Sequence, residues 1–553
     1  MRRSLHFVFA RRLCFGGLVG ALCFFCFALT PSLLPRGPVT QGMLVGIACA
    51  AGYGFGSLAS ALLRRLLRGE PSRQVKRIAW WSLAGVTIVV IPLFLALGVK
   101  WQDQVRHLVG VEPLDGWSAP TILIVALVIV ALLLIVSRAI RGFARGVGSA
   151  VSSVLPRWIS VPIGVALAAV LVVGMLQGFL LDPLLNGLNS AYSVKNTSTS
   201  EGVVKPTSPF RSGSPASLVP WDTLGEQGRD FTGSGSGVGP TAAQIAAFDG
   251  KPAMEPIRAY VGLASAPTLG ERVQLALREL DRTHAWSRKV LVVFTTTGTG
   301  WIDERAASPL EYMFAGDTAE VGMQYSYLPS WVSFLVDQQK AADAGTEMIQ
   351  AVEARLATMP ASSRPRLYVF GESLGSFGTE SAFADAAAMA KGVDGGLLEG
   401  PVFTNHIHNE LTDNRDAGSP FWRPVYQNGQ TFRFAVSPSD LTHPATQWES
   451  PRIAYLQNST DPITYFNWDL LWRPPGWLDQ PRGLDVSPAL HWFPVVTFWQ
   501  VVGDMMFSTK VPIGHGHNYG VNAVNAWAYV AQPPGWTPHE TDRLREVLAS
   551  PKA

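Results

Sequence analysis

Five apolar stretches crowd the first third of this chain, near residues 13–34, 41–63, 78–98, 119–137 and 158–181. Each is long enough to cross a hydrocarbon layer of about 30 Å. A chain carrying them cannot fold around one water-soluble core. The basic residues between them alternate. Arg2, Arg3, Arg11 and Arg12 precede the first stretch, six basic residues from Arg64 to Arg77 separate the second from the third, and Arg138, Arg141, Arg145 and Arg157 precede the fifth. The other two loops hold only Arg36, Lys100 and Arg106. This pattern predicts a cytoplasmic N-terminus and places everything after residue 190 on the far side of the membrane. A cleaved signal peptide in place of the first span is the lesser reading, because a multispan bundle follows directly.

Charge divides the chain in the same place. Residues 1–190 carry a net +12 and residues 191–553 a net −9, which sum to the overall +3. So small a balance argues against a nucleic-acid partner. Cys14, Cys23, Cys26 and Cys49 all lie in the apolar part, so the long remainder has no disulfide framework. The spans hold almost no ionisable side chains; Gln177 and Asp182 are the main polar ones. Gly16 and Gly20, and Gly52, Gly54 and Gly56, read as close helix packing. The bundle, 1–184, is therefore expected to be an anchor. The Ser-, Thr-, Gly- and Pro-rich stretch 185–245 is expected to be a linker.

From residue 246 onward, helical and strand patterns alternate. "KVLVVF" (289–294), "RLYVF" (366–370) and "RIAYLQ" (452–457) are buried strands, with helices predicted over 270–280, 344–359 and 378–391. Alternation of this kind predicts an α/β fold, a mostly parallel sheet with helices on both faces. Between strand and helix stands Gly371-Glu372-Ser373-Leu374-Gly375. The two glycines suit a tight strand-to-helix turn that exposes a nucleophilic Ser373. Asp461, just past the strand "RIAYLQ", is the expected acid, with Asp440 as its rival. The base is expected in the loop "PIGHGHNYG" (512–520), as His517 with His515 the alternative; His491 reads as a surface histidine. The amide of Leu374 and that of Thr299, in the turn after "KVLVVF", are the expected oxyanion donors.

The stretch 463–510 reads as a Trp-rich cap, an acyl-pocket lid or a membrane-interface element, with Trp468 as a substrate contact. Tyr325 and Trp331 in "QYSYLPSW" are candidate walls of the site. Two H-x-H pairs, His406/His408 and His515/His517, raise the rival of a zinc hydrolase. No acidic ligand block accompanies them and the serine elbow would go unexplained, so no metal or cofactor is expected.

As a set, "TTTGTGWID", "MQYSYLPSW", "RPRLYVFGESLGSFGTE", "LEGPVF", "YLQNSTDPI" and "PIGHGHNYG" resemble the bacterial membrane-anchored alpha/beta-hydrolase family. The resemblance implies an alpha/beta-hydrolase fold over 246–553, preceded by the all-α transmembrane bundle. It also implies a triad of Ser373, Asp461 and a histidine of the last block, but no substrate. One departure is visible: "VVTFWQVVGDMMF", before the histidine loop, reads as helix where the fold's last strand belongs. The expected function is an extracytoplasmic serine hydrolase acting on an acyl ester, lipidic esters included, beside the bilayer. The alternatives are an acyltransferase using the same triad and a non-catalytic membrane scaffold.

Overall fold

The computed structural model describes residues 13–66, 72–151, 166–167, 169–171, 173–174, 177–178, 182–235 and 238–549. The chain forms two compact units. One comprises the N-terminal part to Gly187 together with Phe466–Leu478 and Asp485–Ser508; the other holds Leu188–Tyr465, Asp479–Leu484 and Thr509 onward.

The first unit is helical. Helices α1 (Phe15–Ala28), α2 (Pro38–Leu66), α3 (Arg73–Leu108) and α4 (Ser118–Val151) occupy four of the five apolar stretches. Of these, α2, α3 and α4 are long and apolar enough to cross a membrane, and α1 is shorter. The expected span 13–34 thus stops early as a helix. Pro31 and Pro35 lie just beyond Ala28 and break the hydrogen-bond ladder. The fifth stretch, 158–181, lies largely outside the described residues. The expected glycine packing is present: a Cβ on Gly20 would stand 2.2 Å from the Gly52 carbonyl, and one on Gly56 2.0 Å from that of Gly16. Helices α1 and α2 therefore touch backbone to backbone.

The second unit is built on a parallel sheet. Short strands β1 (Val203–Val204) and β2 (Ser234–Gly235) pair with each other. Then β3 (Ile257–Val261), β4 (Val290–Thr295), β5 (Thr318–Met323), β6 (Arg366–Glu372), β7 (Gly395–Glu399), β8 (Phe432–Ala435) and β9 (Arg452–Leu456) form one sheet. Its order is β3-β5-β4-β6-β7-β9-β8, and every pairing is parallel. Strands β4 and β5 are buried at every position, as a sheet covered on both faces requires. Helices such as Leu269–Arg282, capped reciprocally by Thr268 and Glu271, supply the cover.

Two expectations change here. The stretch 185–245 is not a loose linker. Arg211 is buried; its guanidinium donates to the carbonyls of Gly233 (2.6 Å) and Pro240 (2.9 Å), and Arg229 reaches the carbonyl of Asn196 (2.7 Å). Polar composition misleads because these side chains bind backbone carbonyls rather than water. The Trp-rich cap 463–510, expected on the catalytic domain, belongs for most of its length to the helical unit. Its helix, Val496–Met505, is the helix foreseen in place of a last strand. Among the described residues no strand of the sheet follows Leu456.

Candidate active site

Strand β6 runs straight into the 371–375 turn, and helix Leu374–Glu380 starts at once. Ser373 takes φ 54° and ψ −124°, a conformation costing a side-chain-bearing residue about 1–3 kcal/mol. The flanking glycines make room. A Cβ on Gly371 would lie 2.4 Å from the Gly375 carbonyl, and one on Gly375 2.2 Å from that of Thr295. The turn is held from behind. The Ser373 amide donates to Glu399 O (2.8 Å), Ser376 Oγ to Ser373 O (2.6 Å), and Asn405 Nδ2 to both Ser376 Oγ (3.2 Å) and Glu380 (2.8 Å).

Neighbouring strands carry the partners. Strand β7 ends at Glu399, and the next residue, Gly400, lies against the His517 ring: a Cβ there would meet Cε1 at 2.3 Å. Beyond β9 comes Asp461, whose Oδ2 is 2.7 Å from His517 Nδ1. Order β6-β7-β9 thus brings Ser373, the bed of His517, and Asp461 to one edge of the sheet. Asp461 is fully buried and well supplied with donors. Tyr519 OH donates to Oδ2 (2.6 Å), Thr464 Oγ to the same oxygen (3.3 Å), and the Ile463 amide to Oδ1 (2.9 Å). His517 Nε2 is buried without a hydrogen-bond partner among the described residues.

Burial lowers the His517 pKa, but the Asp461 charge and hydrogen bond outweigh it, with Glu372 adding, so the net shift is upward. Glu372 is pushed up to about 8, by burial first and then by the Asp303 charge, against the pull of His517 and Arg305. Glu399, its neighbour across the β6–β7 register, is raised by burial and then by Glu372 and Asp303. Arg305 binds Asp303 (2.9 Å) at the edge of this group.

Asp461 and His517 are brought together, and Ser373 lies one strand away from their contact. Asp440 instead caps the turn Pro438–Thr442 and pairs with Arg423. His491 is exposed. His406 bonds the Phe383 carbonyl (3.0 Å) and buried His408 bonds Gln457 (2.6 Å); among the described residues no three His, Cys, Asp or Glu side chains gather as a metal site. Leu374 opens the helix after Ser373, where the first amides have no intrahelical acceptor. The turn bearing Thr299 meets the elbow at Thr295 and Thr296, and the Thr299 carbonyl is tied to Gln324 (2.7 Å). Thr296 is therefore the nearer backbone, a residue sequence reasoning passed over. Tyr325 is buried, its hydroxyl without a hydrogen-bond partner among the described residues. Trp331 belongs to helix Ser330–Val336, and its side chain lies outside the described residues. Trp468 sits in the helical unit, 59% exposed. Tyr519 also went unread; its only signal was its place two residues after His517.

A family model described as "Alpha/beta-hydrolase family" matches residues 257–544, more than half of the chain. The chain belongs to the alpha/beta-hydrolase family. A second model, described as the N-terminus of that family, matches residues 29–236. The family's two parts thus cover both the helical region and the sheet, and the resemblance read from the motif blocks agrees with them. No curated protein and no solved structure matches the chain.

Proposed function

We propose that this alpha/beta-hydrolase is a membrane-anchored serine hydrolase that cleaves an acyl ester on the side of the membrane opposite its N-terminus. The observation carrying this reading is the 2.7 Å His517–Asp461 bond, seated on Gly400 beside the strained turn of Ser373. Ser373 Oγ attacks the carbonyl carbon while His517 Nε2 takes its proton. Amides of Leu374 and of the 296–299 turn, with Thr299 and Thr296 the candidates, receive the oxyanion. His517 then protonates the departing alkoxide, leaving an acyl-serine. Water attacks next, giving its proton to His517, which returns it to Ser373 as the carboxylic acid leaves. Asp461 holds the imidazole with Nδ1 protonated, and Tyr519 helps to fix that carboxylate. A lipidic ester suits an enzyme tied to membrane-length helices, with Tyr325 and Trp331 as candidate walls of an acyl site.

Fluorophosphonate labelling of the full chain tests the reading. Labelling is expected in wild type and in His515→Ala, insensitive to a zinc chelator, and lost in Ser373→Ala and His517→Ala. Wild-type protein that stays unlabelled in both detergent and lipid would overturn it.

A further inference from the structure

The helical unit contains more than the N-terminal helices, and the depth reached by its late segment can be read from its partners. Phe493 stacks on Phe27, with centroids 4.2 Å apart and planes 9° apart. Val496 is buried in one core with Phe25, Leu29, Val45, Leu95 and Ile122. Leu95 lies five residues before Lys100, the charge that ends the apolar run of α3. At 1.5 Å per residue that is about 7 Å inside the boundary. From this tip, helix Val496–Met505 runs outward. Gln500 Nε2 donates to Thr30 O (2.9 Å), the backbone at Gly503 meets the Leu44 side chain, and Asp504 reaches the segment between α1 and α2.

At this level buried polar groups of the protein bind one another. Where α1 ends, the Ala28 carbonyl is taken by Gln41 Nε2 (2.7 Å) and that of Thr30 by Gln500. Asp504 Oδ2 accepts from Ser32 Oγ (2.5 Å) and the amides of Leu33 (3.1 Å) and Leu34 (3.3 Å). Its Oδ1 lies 3.1 Å from Arg36 Nε, both side chains fully buried. Non-helical backbone at membrane depth is tolerated when protein groups satisfy it in this way. The outward face carries exposed tryptophans, with the exposed pair Arg473 and Asp469 beside them. The Val495 amide bonds Leu471 O (3.1 Å) and Trp492 Nε1 bonds Leu470 O (2.9 Å), which sets 470–472 beside the tip. There Trp472 is 57% exposed, and Trp468, packed on Phe498 at 5.4 Å, is 59% exposed.

We infer that residues 466–478 and 485–508 re-enter the apolar layer crossed by α2, α3 and α4, as a re-entrant segment whose Trp468 and Trp472 contact lipid. The layer is entered from the side where α1 and α3 end and α2 and α4 begin. In sequence the segment starts five residues after Asp461 and ends nine before His517, so it is tethered to the loops that bear the acid and the base. The inference rests on the helices spanning a membrane and not on the hydrolase chemistry.

The test uses the full chain with Cys14, Cys23, Cys26 and Cys49 changed to alanine, reconstituted in phosphatidylcholine vesicles. A polarity-sensitive fluorophore is placed at Trp472→Cys, and a comparison probe at Leu484→Cys, 90% exposed and in the 479–484 stretch that belongs to the other unit. At 472 a blue-shifted emission is expected, quenched by lipid spin-labelled on its acyl chain and untouched by iodide; at 484, the reverse. Iodide quenching at 472 equal to that at 484, in protein that floats with the vesicles, overturns the re-entrant segment alone. Protein that does not float overturns the membrane assignment with it. Should the cysteine-free chain fail to fold, brominated lipid is applied to wild type and to W468F/W472F. The lipid-quenched share of tryptophan emission is expected to fall in the variant, and an unchanged share overturns the proposal.

Discussion

Glu372 stands immediately before Ser373 and is buried. A carboxyl whose folded pKa is raised, here to about 8 from an ordinary 4.5, binds its proton more tightly in the folded state. The stability this contributes is complete below about pH 4.5 and is lost as pH rises through about 8. Wild-type melting temperature is therefore expected to fall across that window. Glu372→Gln, which keeps the shape and cannot ionise, should flatten the fall, as a pH series of thermal melts will read. A melting temperature in Glu372→Gln that falls as steeply as in wild type would refute the assignment.

At the scale of elements, edge strand β3 adds one buried ion network to its apolar packing. Arg258 on β3 is fully buried and donates to Glu304 (2.7 Å) and Glu311 (2.7 Å) from the helix Glu304–Met313. Glu320 on β5 lies 3.8 Å away, and the Gly239 backbone comes so close that a Cβ there would meet the guanidinium at 2.0 Å. The network pins the 196–240 stretch to the sheet. Arg258→Met leaves at least two buried carboxyls without their cation. Such a loss costs about 3–5 kcal/mol, more than the burial of a methionine restores. Denaturant unfolding of the full chain should show it, and a change below about 1 kcal/mol would mean the carboxyls are held some other way. Serine- and glycine-rich composition concealed this element, because what orders it is a set of arginines bound to carbonyls.

At the scale of the molecule, the helical unit joins residues separated by more than 400 positions. Asp504 neutralises Arg36 deep in that unit. Asp504→Asn should therefore release the 485–508 segment, detected as faster proteolysis there in detergent than in wild type. Asp504→Leu combined with Arg36→Met should restore much of the resistance, because an apolar pair leaves no unpaired charge. Equal cleavage in wild type and Asp504→Asn would count against the ion pair as the link.

Much could be read before any coordinates. Periodicity alone located β4, β6 and β9, because strands covered on both faces must be apolar throughout. The turn at Ser373, Asp461 after β9 and the pair of histidines were legible because catalysis on a parallel sheet draws on loops at the strand ends. The glycines of α1 and α2 were legible because only close helix contact calls for them. The hydrogen bond of Asp461 to His517, the residue favoured over His515, was not legible, since both histidines occupy one loop. Nor were Tyr519, Thr296 or the pairing of Arg36 with Asp504, each defined by a partner distant in the chain or by a local approach of backbones. The Trp-rich stretch shows the limit most plainly. Its composition declared an apolar surface, but a composition does not name its partner, and the packing of Phe493 on Phe27 does.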